Sequence, residues 1–513
     1  MGNMYSFYDN TMFDIHCLYN AILAYGGPKI NLPHKLYPIP GITANFPISR
    51  GTVSGTVFNT NLSQCHIEVF AVSDTLYPIR TRVKFTIDND GSWDTENGPY
   101  EVIGEESEAY PIGQSALFTP PILAVVRMNE DTELGTPQTL ASTYKPNGLV
   151  RSYDTSYDTI FDYRTYMYDQ ALAIITACIM NDPINAKAFS DALVSVQKLD
   201  GRWPFHVNTI SKHCDDNYYR TGTIMFCIYA LGFYLRKFPS GDPNGIIKSS
   251  IQKSMHCMID KYLVTTSGDM RQGLFKGGKG QYVQIDGNEV FDPLYHAEWC
   301  ANEHNVDAYF ALDLLIKLDL SIPNTSYDYT IIQNNLLSTM MDVMWDNELN
   351  RSRQAIQDAI TPSPYNTLDC NTWYAALCIS CGQLERAIIC MENAEKWYRY
   401  SGVISDTNLQ VSGYRMYSEL SDISESLHVW GEGTAGGVLA CKLLVQALNN
   451  PLKKISYSKK ANNLLTGYQY MNDPTSHYGI KYTSNHDDND WFCISSTAWT
   501  IISIMGKGFW GLS

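Results

Sequence analysis

The sequence lacks an apolar run of the roughly 18 residues that a membrane-spanning helix needs. It has no basic stretch ahead of a short apolar core, the pattern that opens a secretion signal. Synthesis in the cytoplasm is therefore the expectation. Thirteen cysteines are present, but they are scattered and build no compact disulfide framework. Several of them, Cys178, Cys227, Cys378 and Cys441, stand in apolar helical contexts and read as small buried hydrophobes from a reducing compartment. The one C-x-x-C, Cys378 to Cys381, has no second Cys or His pair nearby, so it reads as the end of a helix and not as a zinc or redox site.

Positive charge is scarce. Lys and Arg number 37 against 53 Asp and Glu, a formal net charge of −16. No basic stripe exists for phosphate contacts, which excludes nucleic acid as a partner. Catalytic signatures are missing too. No G-x-S-x-G elbow supports a serine nucleophile. No G-x-G-x-x-G follows a strand, and the glycines at 277–280 are not followed by the Lys-Ser/Thr of a phosphate loop, so no cofactor is expected. Two acid/His clusters, His213 with Asp215 and Asp216, and His486 with Asp487, Asp488 and Asp490, lack the glycine turn of a calcium loop. They are read as solvated polar loops, and no metal is expected. Met1 to Ser6 matches the short pattern for N-myristoylation, which has meaning only in a eukaryotic host.

What is present is length and aromatic content. The chain has 513 residues, 44% of them hydrophobic, with 35 Tyr and 10 Trp. That suffices for several domains and a large core. Residues 1–45 carry Pro28, Pro33, Pro38 and Pro40 and read as an arm. Residues 46–130 alternate in the manner of strands: 51–57, 65–72, 82–87 and 122–126, with a tight turn at 88–93. Short strands at this spacing suggest a β-sandwich. A linker spans 131–160, and from 161 to the C-terminus the texture is helical, with starts near Tyr166, Ala186, Thr221, Gly245, Asn305, Tyr329, Asn371, Leu384, Gly431, Tyr457 and Phe492. Their irregular spacing and long loops favour helix pairs closed into a ring over an open solenoid.

The segment from Glu298 to Asp307 concentrates the chemistry. Glu303 and Asp307 share one helix face that continues into Ala311 and Leu315, so two carboxylates sit at the mouth of an inward-facing stripe. In a ring of helix pairs the inner helices begin at one end and their first turns line a common cavity. Asp169, Asp369 and Glu432 also fall at or near helix starts, where a first-turn acid is favoured by the dipole. Each alone reads as a capping acid. Together they read as a site. Glycoside cleavage requires one carboxylic acid to protonate the leaving oxygen and one carboxylate to act as nucleophile or to activate water. Glu303 or Glu432 is the expected acid, and Asp307, Asp369 or Asp169 the expected base. A second role for Asp307, as a buried partner of His304 or Asn305, stays open.

Two resemblances sharpen these expectations. Gly51-Thr52-Val53-Ser54-Gly55, Ile67 to Ala71 and Ile87 to Trp93 resemble the small sandwich modules attached to carbohydrate-active proteins. Either Trp93 is core in a structural spacer or the module binds sugar. The helical region resembles the (α/α)6-toroid glycosidases and polysaccharide lyases. The resemblance rests on Tyr168-Asp169-Gln170, Gln197 to Trp203, Arg220-Thr221-Gly222, Gly273 to Gly278, Glu303 to Asp307, Leu368 to Trp373 and Val429 to Thr434. It implies an N-terminal β-sandwich followed by a helical toroid, and a hydrolase in preference to a lyase acting on a polysaccharide or surface glycan. Tyr168, Arg220, His304 and Asn305 stand in these motifs and are expected to bind substrate. Trp203, Trp299, Trp373 and Trp430 are either sugar-stacking platforms or core, while Trp499, Phe509 and Trp510 are read as packing. The alternative class is a non-catalytic virion (tail or fibre) or adhesion protein on the same scaffold, with homo-oligomer or virion assembly partners. The arm, the free cysteines and the missing secretion signal favour that setting, and a virion-borne depolymerase would satisfy both readings.

Overall fold

The computed structural model describes residues 13–25, 41–45, 54–58, 65–71, 82–94, 100–103, 122–128, 140–142, 147–154, 161, 164–209, 212, 214, 218–285, 288–322, 325–363, 365–404, 408–418, 427–472, 479–484 and 491–512. Met1 to Ser6, His213, Asp215, Asp216 and His486 to Asp490 lie outside these residues. Helices dominate. α2 (Met167–Ile179), α4 (Thr221–Lys237), α6 (Asn302–Lys317), α8 (Asp369–Ser380), α10 (Gly431–Ala447) and α12 (Ile494–Met505) each pack on the next, and α12 returns to α2. The ring is closed. Around it lie α1 (Ile15–Ala24), α3 (Pro183–Ser195), α5 (Ile246–Tyr262), α7 (Tyr329–Val343), α9 (Leu384–Trp397) and α11 (Pro451–Tyr468).

The two layers differ in how their sequences fold. Inner helices are apolar around most of their circumference: every residue of α4 from Thr221 to Tyr234 is buried, as is every residue of α10 from Gly431 to Val445. Outer helices bury one stripe, such as Ala186, Phe189, Ser190 and Leu193 on α3. The helix α1 lies in the segment read from sequence as an arm. It packs on α12 and α2, with Phe13 against Tyr468 at 5.3 Å between ring centroids and the Tyr19 hydroxyl donating to Asp182 at 2.9 Å.

The centre of the ring is filled with aromatics. Trp499 stacks on Trp373 with centroids 5.2 Å apart, and Trp510 lies 4.7 Å from Phe310 and 5.6 Å from Trp499. This packing closes the middle of the toroid.

The inner helices are started by the connecting loops. The first helical N–H of α2, α4, α6, α10 and α12 donates to the carbonyl of Phe205, Gly277, Gln354, Tyr482 and Ser152, respectively. One turn in, a buried polar side chain ties a loop backbone to the helix. Gln170 accepts from the Val150 N–H at 2.9 Å, Asn305 from Phe275 at 2.7 Å, Thr434 from Tyr414 at 2.9 Å and Thr497 from Ile480 at 2.9 Å. On α8 the amide of Asn371 donates to Asn366 and to the Thr367 carbonyl. These bonds satisfy loop groups that burial would otherwise strand.

Ahead of the ring, the described strands form two antiparallel sheets. The first has β1 (Gly41–Asn45), β2 (Ser54–Phe58) and β5 (Ser92–Asp94) in the order β1-β2-β5. The second has β3 (Cys65–Ala71), β4 (Arg82–Phe85), β6 (Tyr100–Ile103), β7 (Ile122–Met128) and β8 (Leu140–Ser142) in the order β6-β4-β3-β7-β8. The turn expected at 88–93 closes through Gly91 N–H to the Asp88 carbonyl at 2.8 Å. Trp93 is buried.

Candidate active site

The loop-binding residues on the inner helices fix where the chemistry points. A residue two positions earlier lies about 200° round the helix, on the opposite face. Those positions are Tyr168, Glu303, Asp369, Glu432 and Ser495. Contacts between helices distant in sequence show that they meet. The Tyr168 hydroxyl donates to Glu432 Oε1 at 2.7 Å and accepts from Trp499 Nε1 at 2.7 Å. Ser495 hydrogen-bonds the same glutamate. The thiol of Cys370 lies 3.4 Å from Glu303 Oε2, bridging α8 to α6.

The acids share one enclosed space, and it governs their protonation. Burial, reinforced by Asp369, pushes Glu303 up to about 8. Burial pushes Glu432 up to about 7 against the hydrogen bonds from Tyr168 and Ser495. Asp169 rises to about 8, chiefly through burial, opposed by a bond from Ser152 and reinforced by Glu432. Asp307 is raised well above the ordinary range by burial and by Glu303, Asp369 and Glu432 together. Asp369 is raised as well, but hydrogen bonds from Thr367 and from the Cys370 N–H at 2.8 Å oppose its burial. Glu303 retains 23% of its side-chain surface, so it is not sealed from solvent.

His304 completes one wall. Burial, with Arg220 nearby, lowers it to about 3, so it is a neutral imidazole and its 3.8 Å approach to Glu303 is no ion pair. Two glycines make room here. A Cβ on Gly222 would lie 2.3 Å from the His304 ring, and one on Gly277 would lie 2.5 Å from Trp299. Trp299 in turn lies 5.5 Å from His304. Among the described residues no group of three or more His, Cys, Asp or Glu is arranged to hold a metal ion.

The acids expected from sequence are thus gathered: Asp169, Glu303, Asp307, Asp369 and Glu432, with Tyr168 and His304 between them. Other expected residues are engaged by the protein itself. Asn305 spends both ends of its amide on Phe275, with a further bond to the Ala301 carbonyl. It therefore does not partner Asp307, whose Oδ1 has no hydrogen bond. Trp203 is fully buried and donates to the Leu193 carbonyl at 2.8 Å, away from the acids. Trp373 sits in the aromatic floor, and Trp430 is buried ahead of α10. Arg220 donates to the Gly280 carbonyl at 2.8 Å and lies over Tyr218 at 4.2 Å.

Sequence reading missed the rim. β9 (Tyr153–Asp154), β10 (Arg164–Tyr166), β11 (His206–Asn208), β12 (Tyr219–Arg220) and the hairpin β13 (Gly278–Ile285) and β14 (Asn288–Ala297) place a row of half-exposed rings beside Asp169. Tyr153 and Tyr166 feel that carboxylate. From Tyr166 the row runs to Phe205 at 5.4 Å, Tyr218 at 4.5 Å and Phe291 at 5.8 Å, with Tyr282 5.0 Å beyond. Its members come from separate loops, so no single motif shows them. Only the high tyrosine count hinted at them.

No protein-family model matches the chain, and no curated protein matches it in sequence. Solved structures do match in shape. A D-mannose isomerase aligns with a TM-score of 0.50 at 12% identity, over 70% of this chain and 90% of that one. A sugar epimerase from a ruminal bacterium aligns with a TM-score of 0.50 at 11% identity, over 71% and 93%. The shared feature is the helical fold. The expected toroid is present.

Proposed function

We propose that this protein is a carbohydrate-active enzyme, a glycoside hydrolase that cuts a polysaccharide with Glu303 as proton donor and Asp369 as base. The observation that carries this reading is the contrast between two adjacent carboxyls in one field. Asp369 accepts from a hydroxyl and a backbone N–H at the start of α8, which favours its ionised form. Glu303 is raised by burial and by the charge of Asp369, which outweigh its own backbone N–H and the weak thiol of Cys370 and keep its proton on. A carboxyl pair with opposed environments divides into acid and base. Glu432, held by Tyr168 and Ser495, is read as a carboxyl group positioned for sugar hydroxyls. The half-exposed rings from Tyr166 to Tyr282 suit stacking of successive sugars, which favours a polymer over a small substrate. The same proposal takes the two N-terminal sheets as a sandwich module appended to the catalytic ring.

A polysaccharide digestion panel, read by release of reducing ends, tests the proposal. Wild-type protein should cut at least one polymer. Glu303→Gln and Asp369→Asn should each lose activity about 10²–10⁴-fold while keeping their helical circular dichroism. Silence of the wild type across the panel would favour the non-catalytic virion or adhesion reading instead.

A further inference from the structure

We infer that the glycan taken by this site carries a protonated amine, so that the substrate is an amino-sugar polymer and not a neutral or uronic-acid one. The inference rests on the hydrolase reading for the location of the site and names the class of sugar that enters it. Its basis is a set of ring acids that no basic side chain of the protein pairs with among the described residues. Asp169, Glu303, Asp307, Asp369 and Glu432 come from α2, α6, α8 and α10, and none of them forms an ion pair with Lys or Arg among the described residues. Their one charge-type neighbour is His304, which is neutral. Arg220 lies beside His304, and it is turned to the carbonyls of Tyr219 and Gly280 and to the Tyr218 and Trp299 rings.

Asp307 adds a second, independent observation. It is 3% exposed, it lies one turn below Glu303 on the same face of α6, and its Oδ1 accepts no hydrogen bond. A buried acceptor without a donor is costly, and a folded site tolerates it where a ligand supplies the donor. A sugar hydroxyl would fill that role but leave the carboxylates crowded. An ammonium brings three donors and a positive charge, so it relieves both. A uronate would add another negative charge and is disfavoured.

The sequence extends the same bias. Over the whole chain the formal net charge is −16, 37 Lys and Arg against 53 Asp and Glu.

Isothermal titration at pH 6 tests this with glucosamine, galactosamine, glucose and glucuronate as the probes, repeated in two buffers of different ionisation enthalpy. At that pH the raised acids hold protons, so an arriving ammonium displaces about one of them, whereas a neutral sugar displaces none. The expected result is at least about tenfold tighter binding of one amino sugar than of glucose, with proton release and no binding of glucuronate. Asp307→Asn, which keeps the shape but cannot give up a proton to balance the ammonium, should abolish that preference. Equal binding of glucose and amino sugars without proton release overturns the inference. Cleavage of a neutral polymer alone overturns it while leaving the hydrolase reading intact. Binding of the amino sugar with no polymer ever cut supports it and sinks the hydrolase. No binding of any probe overturns it.

Discussion

Four outer and five inner helices of this ring begin in opposite ways, while outer α5 and α9 carry no side-chain cap and inner α12 is capped by Cys493. Outer helices α1, α3, α7 and α11 are closed by their own caps, Asp14, Asp182, Asp328 and Asn450, each accepting from the second and third N–H groups. Inner helices α2, α4, α6, α8 and α10 have no side-chain cap, and all but α4 place an acid in the first turn. The titration of the acids follows. Asp14 lies below the ordinary carboxylate range through the bond from the Cys17 N–H, and Asp182 lies below it because bonds from Asn185, Ile184 and Tyr19 outweigh its desolvation. On the inner helices Asp169, Glu303, Asp307, Asp369 and Glu432 are all raised. An acid at a helix start is therefore not one kind of feature. Outside it completes the helix. Inside, the loops and the buried polar residues one turn in do that work, and the acid is left facing a cavity at a cost in stability.

The largest expected effect breaks the comparison at its centre. Glu303→Gln should remove hydrolysis by about 10²–10⁴-fold, measured as reducing-end release, because the proton donor is lost. It should not lower stability at neutral pH, since an amide replaces an acid already held protonated. An equal loss of activity on replacing Asp182, a cap of the outer layer, would show that the distinction between layers is wrong.

Next comes the support for the inner starts. Asn305→Ala leaves both the N–H and the carbonyl of Phe275 without partners inside the protein, which costs about 2–4 kcal/mol. Thermal denaturation should show a drop of several degrees. The loop from Gly273 to Gly278, which seats Trp299 and His304, should loosen with it, seen as faster amide exchange there than elsewhere.

How much of this was legible follows from the same contrast. The helix starts at Thr221, Tyr329, Leu384 and Gly431 are also where the helices begin. The starts expected at Ala186 and Tyr457 come late, because Asp182-Pro183 and Asn450-Pro451 are cap-and-proline signals that open α3 and α11 earlier. The acids were readable because first-turn carboxylates recur. Their spacing held more. Glu303-x-Asn305, Asp369-x-Asn371 and Glu432-x-Thr434 pair a cavity residue with a loop-binding residue two positions on, and Tyr168-x-Gln170 and Ser495-x-Thr497 complete the set. Asn305 was taken for a ligand residue because the sequence does not show that Phe275, thirty positions away, needs its amide. The Trp residues stay open between platform and core for a related reason. A large ring beside a catalytic motif reads the same whether it faces a cavity or, like Trp203, spends its N–H on a carbonyl.

The pH dependence of stability should sharpen the comparison further. Glu303, Asp169 and Glu432 hold protons in the folded state, up to about 8, 8 and 7, that the unfolded chain releases near 4. Their contribution is full below the unfolded value and falls away as pH rises through the folded one. The midpoint of thermal unfolding should decline between pH 5 and pH 8.5, and Glu303→Gln should flatten that decline. Asp200, held at about 2 by Arg202 against its desolvation, works in the other window, and its contribution is lost only as pH falls through that value. A midpoint that climbs from pH 5 to 8.5 would contradict the crowding of the inner acids.

The smallest effect belongs to the outer caps. Asp328→Ala on α7 removes the acceptor for the Thr330 and Ile331 N–H groups at an exposed helix start, costing about 1 kcal/mol. Asp182→Ala should cost more than Asp328→Ala, because Asp182 also accepts from the Tyr19 hydroxyl and so ties α1 to α3. Denaturant titration resolves such a difference through the midpoint, with the slope unchanged. Neither change should alter turnover or its pH profile, since both caps close helices from outside the cavity. If Asp182→Ala cost no more than Asp328→Ala, the bond from Tyr19 would add nothing, and α1 would be held to the ring by its apolar packing alone.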